Sequence, residues 1–561
     1  FFLEKLLFRC LFVKFCNMKD FFIENKFLVI LWILSLVALL TFVGHYSGLL
    51  IDFGREVYYP EQILNGKILY KDLFNIYGPL AYQFNAILYK LFGAKLSTLY
   101  GVGCCCSIAI VSGIYLIAQK FLSKFLSFCV GFFTIAVGIT ATCIFNFHFP
   151  YSWAVVYGLI LFLFSLYFLL KYCDDKNSKN LCISSILAGI AITCKYDFLL
   201  YALIVLAIST KEKNWKALIG FVVVPVLSFG TLFIQGLKIE SLVNSLLTTS
   251  VMAKTKTLTY FYQNSGIYYN SKAIFTDFVF FIKFAIPFST ILLGSYLFNK
   301  KKVLSVFSSI IGWILFILMF DSRAIFGFLP ILLFGLLIFE LIRLKKNIDI
   351  KLLILVLSAT AVCAKVFWVM VLGGYANYYV SIAVIALFAI IFTYLPKTLE
   401  KAVGIYLLVV SLFITINNFR LLRTETCKIS TSHGTIYTNR YYGDSSSELI
   451  NFVNQNTDKN DKIVIFPEGM TINFLTERKS DDYYNSLLPL YVETFGEEKL
   501  IEHYKKNSPE YIILNNLDMS DYYYNYICQD YALEFCGFIK ENYELETVLG
   551  NNFRYLVFKR K

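Results

Sequence analysis

Residues 27–43 read FLVILWILSLVALLTFV, seventeen residues without a charge behind a basic stretch. A helix needs about 20 apolar residues to cross a bilayer, so this run is long enough to span with little tilt. No small-residue cleavage site follows it and many similar runs do, which reads as a retained signal-anchor helix rather than a removed signal peptide. The stretch before Met18, FFLEKLLFRCLFVKFCN, precedes a more natural beginning at Met18-Lys19-Asp20. Working outward, comparable runs lie near 98–118, 126–145, 152–170, 181–194, 198–210, 217–235, 276–298, 303–320, 324–342, 352–372, 379–395 and 402–418, thirteen with the first. The composition agrees: 58% of the 561 residues are hydrophobic and 16% charged, against about 25% charged in soluble domains.

Charge gives these runs a direction. With the N-terminus inside, the inner connections carry Lys120/Lys124, Lys171/Lys176/Lys179, Lys211/Lys213/Lys216, Lys300/Lys301/Lys302, Arg343/Lys345/Lys346 and Lys397/Lys401. The short outer connections 146–151, 321–323 and 373–378 hold one lysine or arginine between them, Arg323. That is the positive-inside asymmetry, and it absorbs the net charge of +13 without a nucleic-acid partner. The fifth and sixth runs are short and meet at Lys195-Tyr196-Asp197; merging them would invert every later assignment. The fold class expected is an all-α polytopic membrane protein of about thirteen transmembrane helices with a small extracytoplasmic C-terminal α/β domain. Residues 1–26 form a cytoplasmic segment, 27–418 the membrane core with outer loops 44–97 and 236–275, and 419–561 the exported domain. The strand-like runs KIVIF (462–466), YIIL (511–514) and YLVF (555–558) carry the last assignment. Leu80, Phe84, Ile87, Leu88, Leu91 and Phe92, and likewise Leu242, Val243, Leu246 and Leu247, recur at helical spacing and predict interfacial helices roofing a cavity.

Fourteen cysteines make no pair with zinc-site spacing. Cys104, Cys105 and Cys106 sit in an apolar run as small core residues, while Cys427, Cys528 and Cys536 allow one disulfide in the tail and leave one thiol over. The P-loop, HExxH and GxSxG patterns are absent from the sequence.

The first outer loop holds the acidic cluster. Asp52 follows an apolar run and Glu56 comes four residues later, so a helix starting there would turn both the same way, with Arg55 between. A carboxylate at the membrane edge can act as general base toward an acceptor hydroxyl, and a guanidinium can hold a phosphate. Asp52 is equally a fitting helix cap and Glu56–Arg55 an ordinary ion pair, and spacing alone favours that reading. Lys195 and Asp197, charges between two apolar helices, line a polar cavity or mark a wet hairpin tip. His148, Arg323 and Tyr375 (within GGYANYY, 373–379) are further substrate-contact candidates, each also readable as structural or interfacial.

Asp52-Phe53-Gly54-Arg55-Glu56, Pro60, Gly66, Leu69-Tyr70-Lys71-Asp72 and Tyr77-Gly78-Pro79-Leu80, with Ala188-Gly189, Lys195-Tyr196 and Pro467-Glu468-Gly469, together resemble bacterial membrane glycosyltransferases of the C-type superfold. The family 39-like set is the nearest in pattern: protein O-mannosyltransferase, aminoarabinose transferase and Rhizobium core transferase relatives. The resemblance implies a catalytic acid at Asp52 and a neighbouring ligand residue at Glu56. It implies a polyprenyl-phosphate-linked sugar donor, and transfer with inversion to a glycan, lipid or protein acceptor outside a bacterial inner membrane. Known members carry an adjacent Asp-Glu pair, which this loop lacks. Dependence on a divalent cation varies across the superfold, and no metal cluster is legible here. The rival readings are a transporter or flippase of lipid-linked sugars, which needs polar residues spread through several spans, and a non-catalytic envelope-assembly scaffold.

Overall fold

The computed structural model describes residues 24–321, 326–343, 349–481 and 483–561. Its helices run α1 (Lys26–Phe42), α2 (Phe53–Leu64), α3 (Leu80–Phe92), α4 (Leu96–Ala118), α5 (Lys124–Thr134), α6 (Trp153–Asp175), α7 (Ser178–Cys194), α8 (Leu199–Lys211), α9 (Trp215–Ile234), α10 (Ile239–Met252), α11 (Lys256–Asn264), α12 (Ser271–Leu297), α13 (Lys302–Met319), α14 (Leu329–Arg343), α15 (Ile350–Cys363), α16 (Ala376–Tyr394) and α17 (Glu400–Leu422). Among the described residues seven helices are long and apolar enough to cross a membrane: α4, α6, α9, α12, α13, α16, and α17 with the short turn before it. Shorter apolar helices follow at Lys26–Phe42, Lys124–Ile139, Ser178–Cys194 and Leu329–Ile342. The chain is a multi-pass membrane protein, but helix length does not carry the expected count of thirteen. Two of the runs are the 13-residue α8 and the 14-residue α15, which at 1.5 Å per residue reach only about 20 Å.

Polar contacts sort the connections to two ends. At one end Lys120 donates to Asp174 at 3.0 Å, the Ser123 amide to Glu400 at 2.7 Å, and Asn214 to Ser178 at 3.0 Å. At the other, Asn377 donates to the Phe145 carbonyl at 2.9 Å, the Trp368 amide to Gly266 at 3.1 Å, and the Met370 amide to Gly327 at 3.0 Å. Since Asn214 returns to Ser178, α7 and α8 run antiparallel with Lys195-Tyr196-Asp197 at their tip, where Lys195 is extended (φ −150°, ψ 134°). The fifth and sixth runs are therefore separate helices.

The interfacial helices have the expected periodicity. In α3 the buried face is Ala81, Tyr82, Asn85, Ala86 and Tyr89, while Phe84, Ile87, Leu91 and Phe92 are exposed. An apolar stripe turned outward is the pattern of a helix lying against lipid.

Beyond α17 come the hairpin β1 (Cys427–Thr431) and β2 (Gly434–Thr438), α18 (Arg440–Asn456), β3 (Ile463–Phe466), α19 (Met470–Thr476), α20 (Pro489–Phe495), α21 (Glu497–Lys506), β4 (Tyr511–Asn515), α22 (Leu533–Asn542), β5 (Tyr543–Leu549) and β6 (Tyr555–Arg560). The three strand-like runs are β3, β4 and β6, and the sheet order is β3-β4-β6-β5, with β3 and β4 parallel and the rest antiparallel. Cys528 and Cys536 form the disulfide, and Cys427 is a free thiol.

This C-terminal region is seated on the first loop. The Tyr46 amide donates to Tyr437 at 2.8 Å, the Leu96 amide to His433 at 2.8 Å, and Thr471 to the Leu49 carbonyl at 2.7 Å. Gly54 allows the closest approach: a Cβ there would sit 2.6 Å from Met470 Cβ and 2.7 Å from the Thr471 nitrogen, so only glycine lets α2 touch α19.

Candidate functional site

Asp52 stands before α2 with a left-handed backbone (φ 64°, ψ −24°), a region aspartate tolerates better than most residues. A capping residue is extended and accepts an amide of the first turn. Asp52 does neither; its carboxylate accepts from Arg55 Nη2. The cap reading is excluded. Arg55 is buried, donates from Nη1 to Tyr491 at 2.8 Å, and its Nε lies 3.7 Å from Glu468 Oε1. One guanidinium thus joins the first loop to two residues of the C-terminal region.

Asp52, Arg55 and Tyr491 line a cavity of about 350 Å³, a size usual for small-molecule sites. Asp52, Arg55, Tyr77 and Tyr151 form one wall, with the two tyrosine hydroxyls 2.5 Å apart. Lys365 and Tyr375 stand on the other, and Phe261 and Tyr262 of α11 with Tyr522 of the C-terminal region complete the enclosure. Behind this second wall Asp197 receives two ammonium groups, Lys195 at 3.6 Å and Lys365 at 3.8 Å, and a hydrogen bond from Tyr379 at 3.2 Å. Lys195 is buried between the rings of Tyr77, at 4.8 Å, and Tyr375, at 5.5 Å. Two lysines share one buried carboxylate, and burial pulls Lys195 below its ordinary value; an anionic ligand beside them would favour their charged forms. Gly78 makes the junction possible: a Cβ there would come within 1.9 Å of the Thr193 carbonyl, one turn from Lys195.

Burial pushes the Asp52 carboxyl above its ordinary value, and Arg55 pulls it back toward the charged form. Glu468 is fully enclosed and is pushed by burial up to about 8, against the pull of Arg55. Of the two carboxyls, Asp52 is the one in direct contact with Arg55.

The other sequence candidates divide. Tyr375 and Arg55 line the cavity, and Lys195 and Asp197 back it. Glu56 does not face Asp52's cavity. It accepts from Tyr82 at 3.0 Å and from the Trp153 amide at 2.9 Å, and burial raises it to about 7. Nor does it pair with Arg55, whose carboxylate neighbours are Asp52 and Glu468. His148 is wholly buried away from the cavity lining, its backbone pressed against Gly103. Arg323 lies outside the described residues. Lys365 was hidden inside an apolar run read as span 352–372; a lone cation in such a run is itself a signal. Glu468 entered the sequence reading only as part of the Pro467-Glu468-Gly469 motif, without a role, and Tyr491 not at all, since both meet Arg55 from more than 400 residues away.

Among the described residues no three His, Cys, Asp or Glu side chains gather as metal ligands. Arg55 occupies the space between Asp52 and Glu468, so this donor set does not fit a divalent cation.

No protein-family model matches the sequence, and no curated protein matches it. Solved structures similar to it include ArnT from Cupriavidus metallidurans bound to undecaprenyl phosphate, at TM-score 0.46 and 11% identity over 95% of this chain and 98% of that one. An oligosaccharyltransferase from Archaeoglobus fulgidus, in complex with zinc and sulfate, has TM-score 0.45 and 13% identity over 87% of this chain and 68% of that one. AglB of the same organism, with an inhibitory peptide and dolichol phosphate, has TM-score 0.43 and 11% identity over 88% and 70%. The first-loop motif of the chain resembles that of C-type superfold membrane glycosyltransferases.

Proposed function

We propose that this protein transfers a sugar from a polyprenyl-phosphate carrier to a glycan, lipid or protein acceptor on the outer side of a bacterial plasma membrane, with inversion. In this reading residues 1–26 lie inside, thirteen segments of 27–418 cross the membrane, and 419–561 form an outer domain that closes the site. One observation carries the proposal: the cavity that Asp52 and Arg55 line on one wall is lined on the other by Lys365, which shares Asp197 with Lys195 behind it.

The chemistry follows from that polarity. Asp52 accepts the proton of the acceptor hydroxyl as its oxygen bonds to the anomeric carbon. The bond from that carbon to the phosphate oxygen breaks on the opposite face, through an oxocarbenium-like state. Lys365, with Lys195 behind it, stabilises the departing lipid phosphate. Arg55 keeps Asp52 charged despite its burial. Tyr375 and Tyr151 offer hydroxyls and ring faces to the sugar, and the enclosure excludes water, which would otherwise hydrolyse the donor.

The test is transfer in proteoliposomes supplied with a labelled polyprenyl-phosphate sugar and an envelope extract as acceptor. Asp52→Asn is expected to insert normally, lose about 10²–10⁴-fold in transfer, and leave donor unused on the outer leaflet. Full transfer by that variant would overturn the assignment.

A further inference from the structure

A second and larger cavity, about 1070 Å³, opens between α2, α10 and the C-terminal region, away from Asp52. Among the described residues its lining carries five lysines and one arginine against four carboxylates. Three of those carboxylates are already engaged: Glu477 with Lys459, Asp481 with Lys462 at 2.9 Å, and Asp72 with the Ile68 amide at 2.9 Å. Lys71 and Lys479 are exposed, and among the described residues their ammonium groups have no carboxylate partner. The remaining lining is rich in amides and tyrosines, including Gln62, Asn65, Asn244, Asn507, Tyr483 and Tyr484.

This groove continues toward Asp52. A smaller opening of about 470 Å³ shares Asn244, Tyr483 and Tyr484 with it and adds Thr248, Val251 and Lys499. Ser241, Asn244, Thr248 and Val251 recur at helical spacing along one face of α10. The same helix ends at Met252, which lines the Asp52 cavity. On the far side of α10, Val243 and Leu246 are exposed and apolar, so the groove runs along the membrane lip. Helix α2 gives a second link: Glu61 and Gln62, in the groove, follow Asp52 by nine and ten residues, about 14 Å along a helix.

We propose that this groove binds the non-reacting part of an anionic, extended saccharide acceptor, and so rests on the transferase reading above. Amides and tyrosine faces suit sugar hydroxyls and ring faces, and the two lysines without a carboxylate partner suit phosphate or carboxylate substituents. The larger opening has no Leu, Ile, Val, Phe or Met among its described lining residues, so it offers little to the apolar side chains of a peptide.

The test uses the full-length protein in detergent, with a heparin hexasaccharide as anionic glycan, maltohexaose as neutral glycan and hexaglutamate as anionic peptide. The hexasaccharide is expected to bind more tightly than the other two, and the double variant Lys71→Glu/Lys479→Glu to weaken it by about tenfold or more. Asp52→Asn is expected to leave that binding unchanged, so failure of the groove and failure of the transfer chemistry read separately. Unchanged hexasaccharide binding in the double variant overturns the proposal. Hexaglutamate binding as tightly as the hexasaccharide overturns the glycan assignment in favour of an acidic peptide.

Discussion

The two walls of the Asp52 cavity are built by different parts of the molecule. The acidic wall is a joint: Asp52 and Arg55 come from the first loop, and Glu468 and Tyr491 from the C-terminal region. The cationic wall belongs to the helical core alone, where Lys195 at the α7–α8 tip, Lys365 just beyond α15 and Tyr379 of α16 converge on Asp197. Each wall can therefore fail without the other. Removing the seat of the C-terminal region disturbs the base and leaves the anion site standing.

Arg55→Ala tests that difference most severely. It strips the cation from between two buried carboxylates, at a cost of about 3–5 kcal/mol. Limited proteolysis should show the C-terminal region released while phosphate-lipid binding persists; loss of both together would break the comparison. Gly54→Ala attacks the same seat by overpacking Met470, costing about 1–3 kcal/mol, and should produce a milder version of the same proteolytic pattern. Equal protection in mutant and parent would show that the seat is not tight.

Glu468 sharpens the comparison through pH. Its carboxyl is raised from near 4.5 to about 8 by enclosure, so its contribution to stability is complete below the lower value and is lost as pH rises through the upper one. Thermal unfolding should shift downward between about pH 5 and pH 8, and Glu468→Gln should flatten that slope. An identical slope in the variant would remove Glu468 as its source. Glu56→Gln is the smallest change, since one of two accepted hydrogen bonds survives. It should cost about 1 kcal/mol in thermal unfolding and preserve transfer, and a large loss of transfer would return Glu56 to the chemistry.

The same division explains what was legible in the sequence. Periodicity and charge placed the helices, the interfacial stripes and three strands, because each is a local pattern answering to lipid or to a sheet. Asp52 was legible as a residue but not as a role, because its spacing fits a cap and only its left-handed backbone shows otherwise. Lys365 was concealed by apolar neighbours that extended the read span past the end of α15. Glu468 and Tyr491 reach Arg55 only through docking, which leaves no trace in local spacing. Helix length leaves the count of thirteen unconfirmed: α8 matches its apolar run, 198–210, at only 13 residues, and α15 ends at Cys363, inside the run 352–372.

The central claim is that Asp52 does the chemistry while the lysine cluster holds the donor phosphate. Donor affinity and transfer rate measured together on Asp52→Asn and Lys365→Gln test it most directly. The account predicts that Asp52→Asn loses transfer with donor affinity intact, and that Lys365→Gln loses affinity first. Full transfer by Asp52→Asn, or the same parameter moving in both variants, would contradict it.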